Sequence, residues 1–281
     1  MVDVITLGTG SPMPSPDRAG PSTLVRTGGA HLLFDCGRGA LMRLAAAGLP
    51  TPALLAHVFL THLHSDHVTD FNDVVTTSWA VGPPGSELRV AGPVGTATFT
   101  DRTMAALEDD IGYRMAHHDD LTGPPVVHVT EVENGIAWRS GPDDDPAAIV
   151  VTCAPTDHRP VHPTVGYRID AEGTSVVIAG DTVPCDGLDR LCEGASVYVQ
   201  TVIRPDLIAQ LPFPRIHDVI DYHSSVEDAA RTATNAGVGT LVLTHPVPPP
   251  PAGTEHEWVE LARRHFDGEV LLAHDLLTVT A

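Results

Sequence analysis

The chain predicts a mixed α/β fold of packed sheets flanked by helices, and three features predict it. Short apolar runs rich in Val and Ile recur along its length, as buried strands do. Amphipathic stretches lie between some of them. The order is strand-rich, helical in places, then strand-rich again, without the regular strand–helix period of a barrel or a doubly wound sheet.

The strand candidates, in order, are 2–7, 31–34, 58–60, 149–154, 165–169, 176–179, 197–199, 241–243 and 270–272. Most stop at a glycine or a polar residue. The clearest helix starts at Ser224-Ser225, where Glu227 and Asp228 complete two overlapping capping boxes. Val226, Ala229, Ala230 and Ala233 then share one face, and Gly237 ends the run. Weaker helical patterns cover 40–47, 96–107 and 256–266. An acidic turn at 140–146 and a proline-rich connector at 246–251 sit between strands, so neither has to divide the chain. The expectation is one domain over 1–281, with 68–157 as a variable insert or lid region. No apolar run is long enough to span a membrane. The opening residues lack the basic stretch and apolar core of a signal peptide, so a cytoplasmic location is expected. The four cysteines are scattered without a CxxC pair and read as idle thiols.

Charge narrows the partners. Of 281 residues, 36 are acidic and 16 basic, giving −20, and every basic residue is arginine. Nucleic-acid backbones are bound by cationic side chains that displace counterions. A chain with this balance is expected to take a small-molecule substrate rather than nucleic acid.

The chemistry is concentrated in Thr61-His62-Leu63-His64-Ser65-Asp66-His67, directly after the run at 58–60. Imidazole and carboxylate are preferred ligands of zinc and similar ions. In extended backbone His62, His64 and Asp66 share a face, and His67 reaches elsewhere. Four residues cannot complete two metal sites. Further ligand types follow other buried runs: Asp157-His158 after 149–154, Asp181 after 176–179, and His245 after 241–243.

This pattern resembles the metallo-β-lactamase superfamily, within its ribonuclease Z, arylsulfatase-like and phosphodiesterase branch. The HxHxDH motif carries the superfamily. The branch is carried by Leu7-Gly8-Thr9-Gly10-Ser11-Pro12 with Arg18, by Gly180-Asp181-Thr182, and by Tyr222-His223-Ser224-Ser225 ahead of a helix. The resemblance implies an αββα four-layer sandwich, with two mixed sheets packed together between helices. It also implies two divalent metal ions, zinc before manganese or iron. His62, His64 and His158 would hold one and Asp66, His67 and His245 the other, with Asp181 bridging. Asp66 and His223 are the residues that it implies in catalysis, His223 as an additional histidine. A homodimer is suggested by the same resemblance.

Two departures shape the functional expectation. The branch usually orients its extra histidine with a glutamate in a His-Glu-Ala-Thr stretch, where this chain reads Val199-Gln200-Thr201-Val202. Gln200 can accept a hydrogen bond but carries no charge. Ribonuclease Z enzymes also commonly carry a basic arm that grips transfer RNA. The interval 68–157 holds only Arg89, Arg102, Arg114 and Arg139 against 15 acidic residues. The expected function is therefore a two-metal hydrolase acting on a small phosphodiester, with a sulfate ester, lactone or carboxylic ester as the alternative. Transfer-RNA 3′ processing is placed behind both.

Overall fold

Apolar runs become strands, and the alternation of side chains within them sets the layers. The computed structural model describes residues 1–142 and 144–281; Asp143, in the acidic turn, lies outside the described residues. In chain order the strands are β1 (Asp3–Gly8), β2 (Ser22–Thr27), β3 (Ala30–Phe34), β4 (His57–Phe59), β5 (Glu87–Gly92), β6 (Val126–Glu131) and β7 (Gly135–Arg139). They continue as β8 (Val150–Pro155), β9 (Val165–Ala171), β10 (Thr174–Ile178), β11 (Val197–Ile203), β12 (Thr240–Val247), β13 (Glu269–Leu272) and β14 (Leu277–Thr280). One sheet has the order β14-β1-β2-β3-β4-β5-β6, the other β13-β12-β11-β10-β9-β8-β7. Each is antiparallel along one side and parallel along the other. The switch comes at β3 in the first sheet and at β10 in the second. The two halves of the chain thus repeat one pairing order.

Alternation does the sorting. Val176 and Ile178 of β10 meet Phe34, Phe59 and Tyr167 between the sheets, whereas Val177 faces outward. The helices are α1 (Ala40–Ala46), α2 (Ser65–Val68), α3 (Phe71–Val81), α4 (Thr96–Ala106), α5 (Glu108–His117), α6 (Asp186–Cys192), α7 (Pro205–Ile208), α8 (Pro214–His217), α9 (Val226–Ala236) and α10 (Glu255–Ala262). Leu44 of α1 and Phe71, Val74 and Val75 of α3 cover the outer face of the first sheet. Leu188, Ala229, Ala233 and Trp258, from α6, α9 and α10, cover the second. That is the αββα sandwich. At the start of α9, Ser225 accepts from the Asp228 amide and Asp228 caps in return, so the second of the two capping boxes is the one used. Gly237 closes the helix in the left-handed conformation. The interval 68–157 supplies strands to both sheets, β5 and β6 to the first and β7 and β8 to the second. Among the described residues no helix is long and apolar enough to cross a membrane.

One aromatic group fixes the sheets where the site begins. Phe34 and Phe59 stack with centroids 4.8 Å apart, and Tyr167 packs its edge on Phe59 from the opposite sheet. The Tyr167 hydroxyl donates to the Leu60 carbonyl at 2.8 Å, and the Val165 amide donates to Thr61. The backbone entering the HxHxDH segment is therefore tied to the second sheet as well as its own.

His57, at the start of β4, is a buried histidine of a different kind. Its ring lies between Phe59 and Trp138, and among the described residues neither ring nitrogen has a hydrogen-bond partner. Burial, helped by Arg89, pushes its pKa down to about 4. Between about pH 4 and 6.5 the unfolded chain then holds a proton that the folded chain refuses, so stability falls as pH drops through that window. Over it, wild type should lose about 3 kcal/mol more than a His57→Leu variant. Urea unfolding of both proteins at pH 7 and pH 4.5 checks this.

Candidate active site

Most groups of the site sit at or just beyond the end of a strand, where such sheets present their functional edge. Asp35 follows β3, the 61–67 segment follows β4, His158 follows β8 and Asp181 follows β10; His245 lies late in β12. Gly180 makes the turn before Asp181. Its φ is +68°, and a Cβ there would come within 2.7 Å of Thr61, so this position accepts only glycine without a shift.

The seven residues predicted as ligands converge as two groups. His62, His64, His158 and Asp181 form one, and Asp66, His67 and His245 the other, with one ligand-type atom of each residue within 4.8 Å of those of its group. His64 Nδ1 is 3.1 Å from His62 Nε2 and 3.2 Å from His158 Nε2. Asp181 Oδ2 lies 3.9 Å and 3.8 Å from those two Nε2 atoms. In the second group His245 Nε2 is 3.2 Å from Asp66 Oδ2. Asp181 reaches it too, since Oδ1 is 3.4 Å from His67 Nε2. It is the residue that joins the groups.

In three of the histidines the outer ring nitrogen donates to the protein and leaves the inner one facing the site. His62 Nδ1 donates to Thr61 Oγ1, His67 Nδ1 to Asp35 Oδ2 at 2.8 Å, and His158 Nδ1 to the Tyr222 carbonyl at 2.8 Å. This is the tautomer control expected of metal-binding histidines. Burial holds His62 and His64 below the usual histidine range and His158 at about 4, so all three are neutral near pH 7. For Asp181 burial works upward but is outweighed by His245, His67 and His223, which keep it well below the carboxylate range. For His67 burial is outweighed by Asp181 and Asp35, and its pKa is raised.

A cation fits this donor set on structural grounds. His67 Nε2 and Asp181 Oδ1 are buried without a hydrogen-bond partner among the described residues, yet face each other across the second group. Asp35, Asp66 and Asp181 are all buried, and among the described residues no arginine pairs with any of them. Buried carboxylates are costly without positive charge, so bound divalent cations are the compensation that the chemistry calls for.

His223 joins the cluster from the other side. Its Nδ1 donates to the Val219 carbonyl at 2.9 Å, and Nε2 lies 3.2 Å from Asp181 Oδ2. Burial lowers its pKa, but the Asp181 contacts outweigh burial and raise it. Gln200 does not orient it. That side chain is fully buried, accepts from the Tyr198 hydroxyl at 2.6 Å and donates to the Thr201 carbonyl. A backbone carbonyl thus does what a family glutamate would do. Arg18, quoted for the resemblance, is structural: it donates to Thr9 and to the Ala273 carbonyl.

Sequence reasoning missed Asp35. It accepts from the Thr61 amide and hydroxyl, both at 2.8 Å, and from His67, and so holds two elements of the motif with one carboxylate. Its φ of +57° is left-handed, as is that of His245 at +51°. The available signal was a lone aspartate ending the apolar run at 31–34.

The model described as the beta-lactamase superfamily domain matches residues 31–246. A protein of Mycobacterium avium named ribonuclease Z is 54% identical over 98% of this chain and 97% of its own. The chain belongs to the metallo-β-lactamase superfamily, in its ribonuclease Z branch. A ribonuclease Z of Mycobacterium bovis is 52% identical over the same shares. Among solved structures, the short form of human tRNase Z superposes with a TM-score of 0.70 at 26% identity, covering 99% of this chain and 98% of that one. A metallo-β-lactamase-fold protein of Bacillus subtilis, YhfI, gives 0.71 at 22% identity over 99% and 98%, a likeness of fold.

Family membership makes this chain a metal-dependent hydrolase. It also corrects the sequence reading of substrate. A small phosphodiester, with a sulfate ester, lactone or carboxylic ester behind it, was preferred over nucleic acid; relatives more than half identical over the whole chain are named for a ribonuclease. The physical error lies in the net charge. It sums the whole surface, whereas an RNA backbone meets one face, and it counts as surface charge buried carboxylates such as Asp66 and Asp181 that lie among histidines.

If Asp35 sets the orientation of His67, Asp35→Ala should weaken metal binding about 10–100-fold while the fold persists. Titration with a competing chelator, with circular dichroism alongside, checks this.

Proposed function

We propose that this chain is a ribonuclease Z, a metal-dependent endonuclease that hydrolyses the phosphodiester bond at the 3′ end of precursor transfer RNA. The carrying observation is the identity of 54% to a named ribonuclease Z across 98% of the chain. It is supported by a site in which all seven ligand-type residues and His223 meet. Residues 1–281 act as one hydrolase domain, since a single core fills the space between the two sheets.

His62, His64, His158 and Asp181 would hold one divalent ion, zinc foremost, and Asp66, His67 and His245 a second. When bound, the two ions supply a water ionised near neutral pH and neutralise charge developing on the phosphoryl oxygens. The remaining work belongs to the chain. Asp181 faces both groups and His223, so one carboxylate sets their mutual position. His223 points Nε2 into the site while Val219 holds its other nitrogen, the geometry of a proton donor to a departing ribose oxygen.

Two outcomes are expected. Purified protein should cut a precursor transfer RNA at its 3′ end, lose the activity to a chelator and regain it with zinc or manganese; an RNA left intact under conditions that hydrolyse bis(p-nitrophenyl) phosphate would overturn the assignment. His223→Ala should lower kcat on that RNA by about 10²–10⁴-fold with metal content unchanged. Asp181→Ala should lose metal and activity together, which metal analysis of both variants reads directly.

A further inference from the structure

A groove beside the active site has a lining that the hydrolytic chemistry does not use. It is about 590 Å³, within the roughly 300–1,000 Å³ of small-ligand sites. Its floor is Val68, Phe99 and Leu107, and Ser65, Asn72 and Arg102 stand around it. Ser65 lies between His64 and Asp66 and opens α2, the short helix that carries Asp66 and His67. The opposite wall, α4, starts against the same motif: a Cβ on Gly95 would sit 3.4 Å from the side chain of Leu63. The groove is therefore continuous with the segment that supplies four of the ligand-type residues.

We infer that this groove seats a nucleotide of the RNA substrate next to the bond that is cut, with Arg102 on its phosphate. The inference rests on the ribonuclease reading above and specifies where this chain grips RNA without a basic arm. Charge selects the occupant. In a chain at −20, the Arg102 side chain is exposed and engages no ion pair or hydrogen bond among the described residues; Arg38 and Arg89 are equally free, but among the described residues Arg102 is the arginine that lines this groove. A free guanidinium is suited to a phosphate oxygen pair. Phe99 offers a ring, held against Phe71 with centroids 5.3 Å apart, on which a base can stack. The Asn72 amide can donate to and accept from a base edge.

The test compares wild type, Arg102→Ala and Ala106→Trp, which fills the groove from an exposed position of α4. Arg102→Ala should raise KM for a precursor transfer RNA about tenfold, the loss of one charged hydrogen bond, at nearly unchanged kcat. The salt dependence of RNA binding should also lose about 0.7 from its log–log slope, the share of one single-stranded phosphate contact. Ala106→Trp should raise KM as well, and both variants should hydrolyse bis(p-nitrophenyl) phosphate like wild type. RNA kinetics and salt slope equal to wild type in both variants would overturn the inference and leave the ribonuclease assignment standing. Equal losses on RNA and on the small ester would mark a structural role and overturn it too. A change of particle mass by light scattering in Ala106→Trp would make the groove an interface between copies of the chain, again against it. Wild type that neither binds nor cuts the RNA would overturn the assignment and the inference together.

Discussion

Three buried carboxylates without an arginine partner are the constraint on which the site depends. Asp35, Asp66 and Asp181 lie among six histidines at one edge of the sandwich, in a chain that has no lysine to offer. Removing carboxylates from water is unfavourable unless positive charge compensates. Here the protons and hydrogen bonds of histidine supply part of that compensation, and cations supply the rest. Metal binding and the integrity of this edge are thus one problem, and the left-handed backbone at Asp35 is held by hydrogen bonds from Thr61 and His67, that at His245 by its contact with Asp66.

The same edge shows how the sandwich places chemistry. Tyr167 and Val165 tether the start of the HxHxDH segment to the opposite sheet, so ligands from the two halves of the chain keep a fixed spacing. A short stretch before α9 does a second job. Val219 and Tyr222 offer their carbonyls to His223 and His158, one a proton-donor candidate and the other a ligand-type residue. Orientation by backbone explains how the site does without the family glutamate, with Gln200 turned into the second sheet's interior beside Tyr198.

Much of this was legible in the sequence, for identifiable reasons. All nine apolar runs became strands because each carries enough buried Val, Ile or Leu to mark it, although β8 and the edge strand β13 also have half-exposed positions. Of the strands that stayed hidden, β2 is buried but its Ser, Thr and Arg residues break the apolar run, and the others are weak in that signal. β6 and β7 are edge strands with exposed residues, and β5 alternates charged and apolar positions. Helix α3 carries Val, Thr and Trp, a strand-like composition that packing against the first sheet overrides. The ligand set was readable because its chemistry recurs at strand ends. Asp35 was not, because a single aspartate after a strand looks like a turn residue until the chain is folded. Composition misled on substrate for a related reason: −20 is a property of the sum, and recognition is a property of a face.

The most direct measurement is anomalous diffraction at the zinc edge from crystals grown with zinc. Two peaks flanking the Asp181 carboxylate are expected, one within bonding distance of His62, His64 and His158, the other of Asp66, His67 and His245. A single peak, or metal bound away from Asp181, would contradict the account.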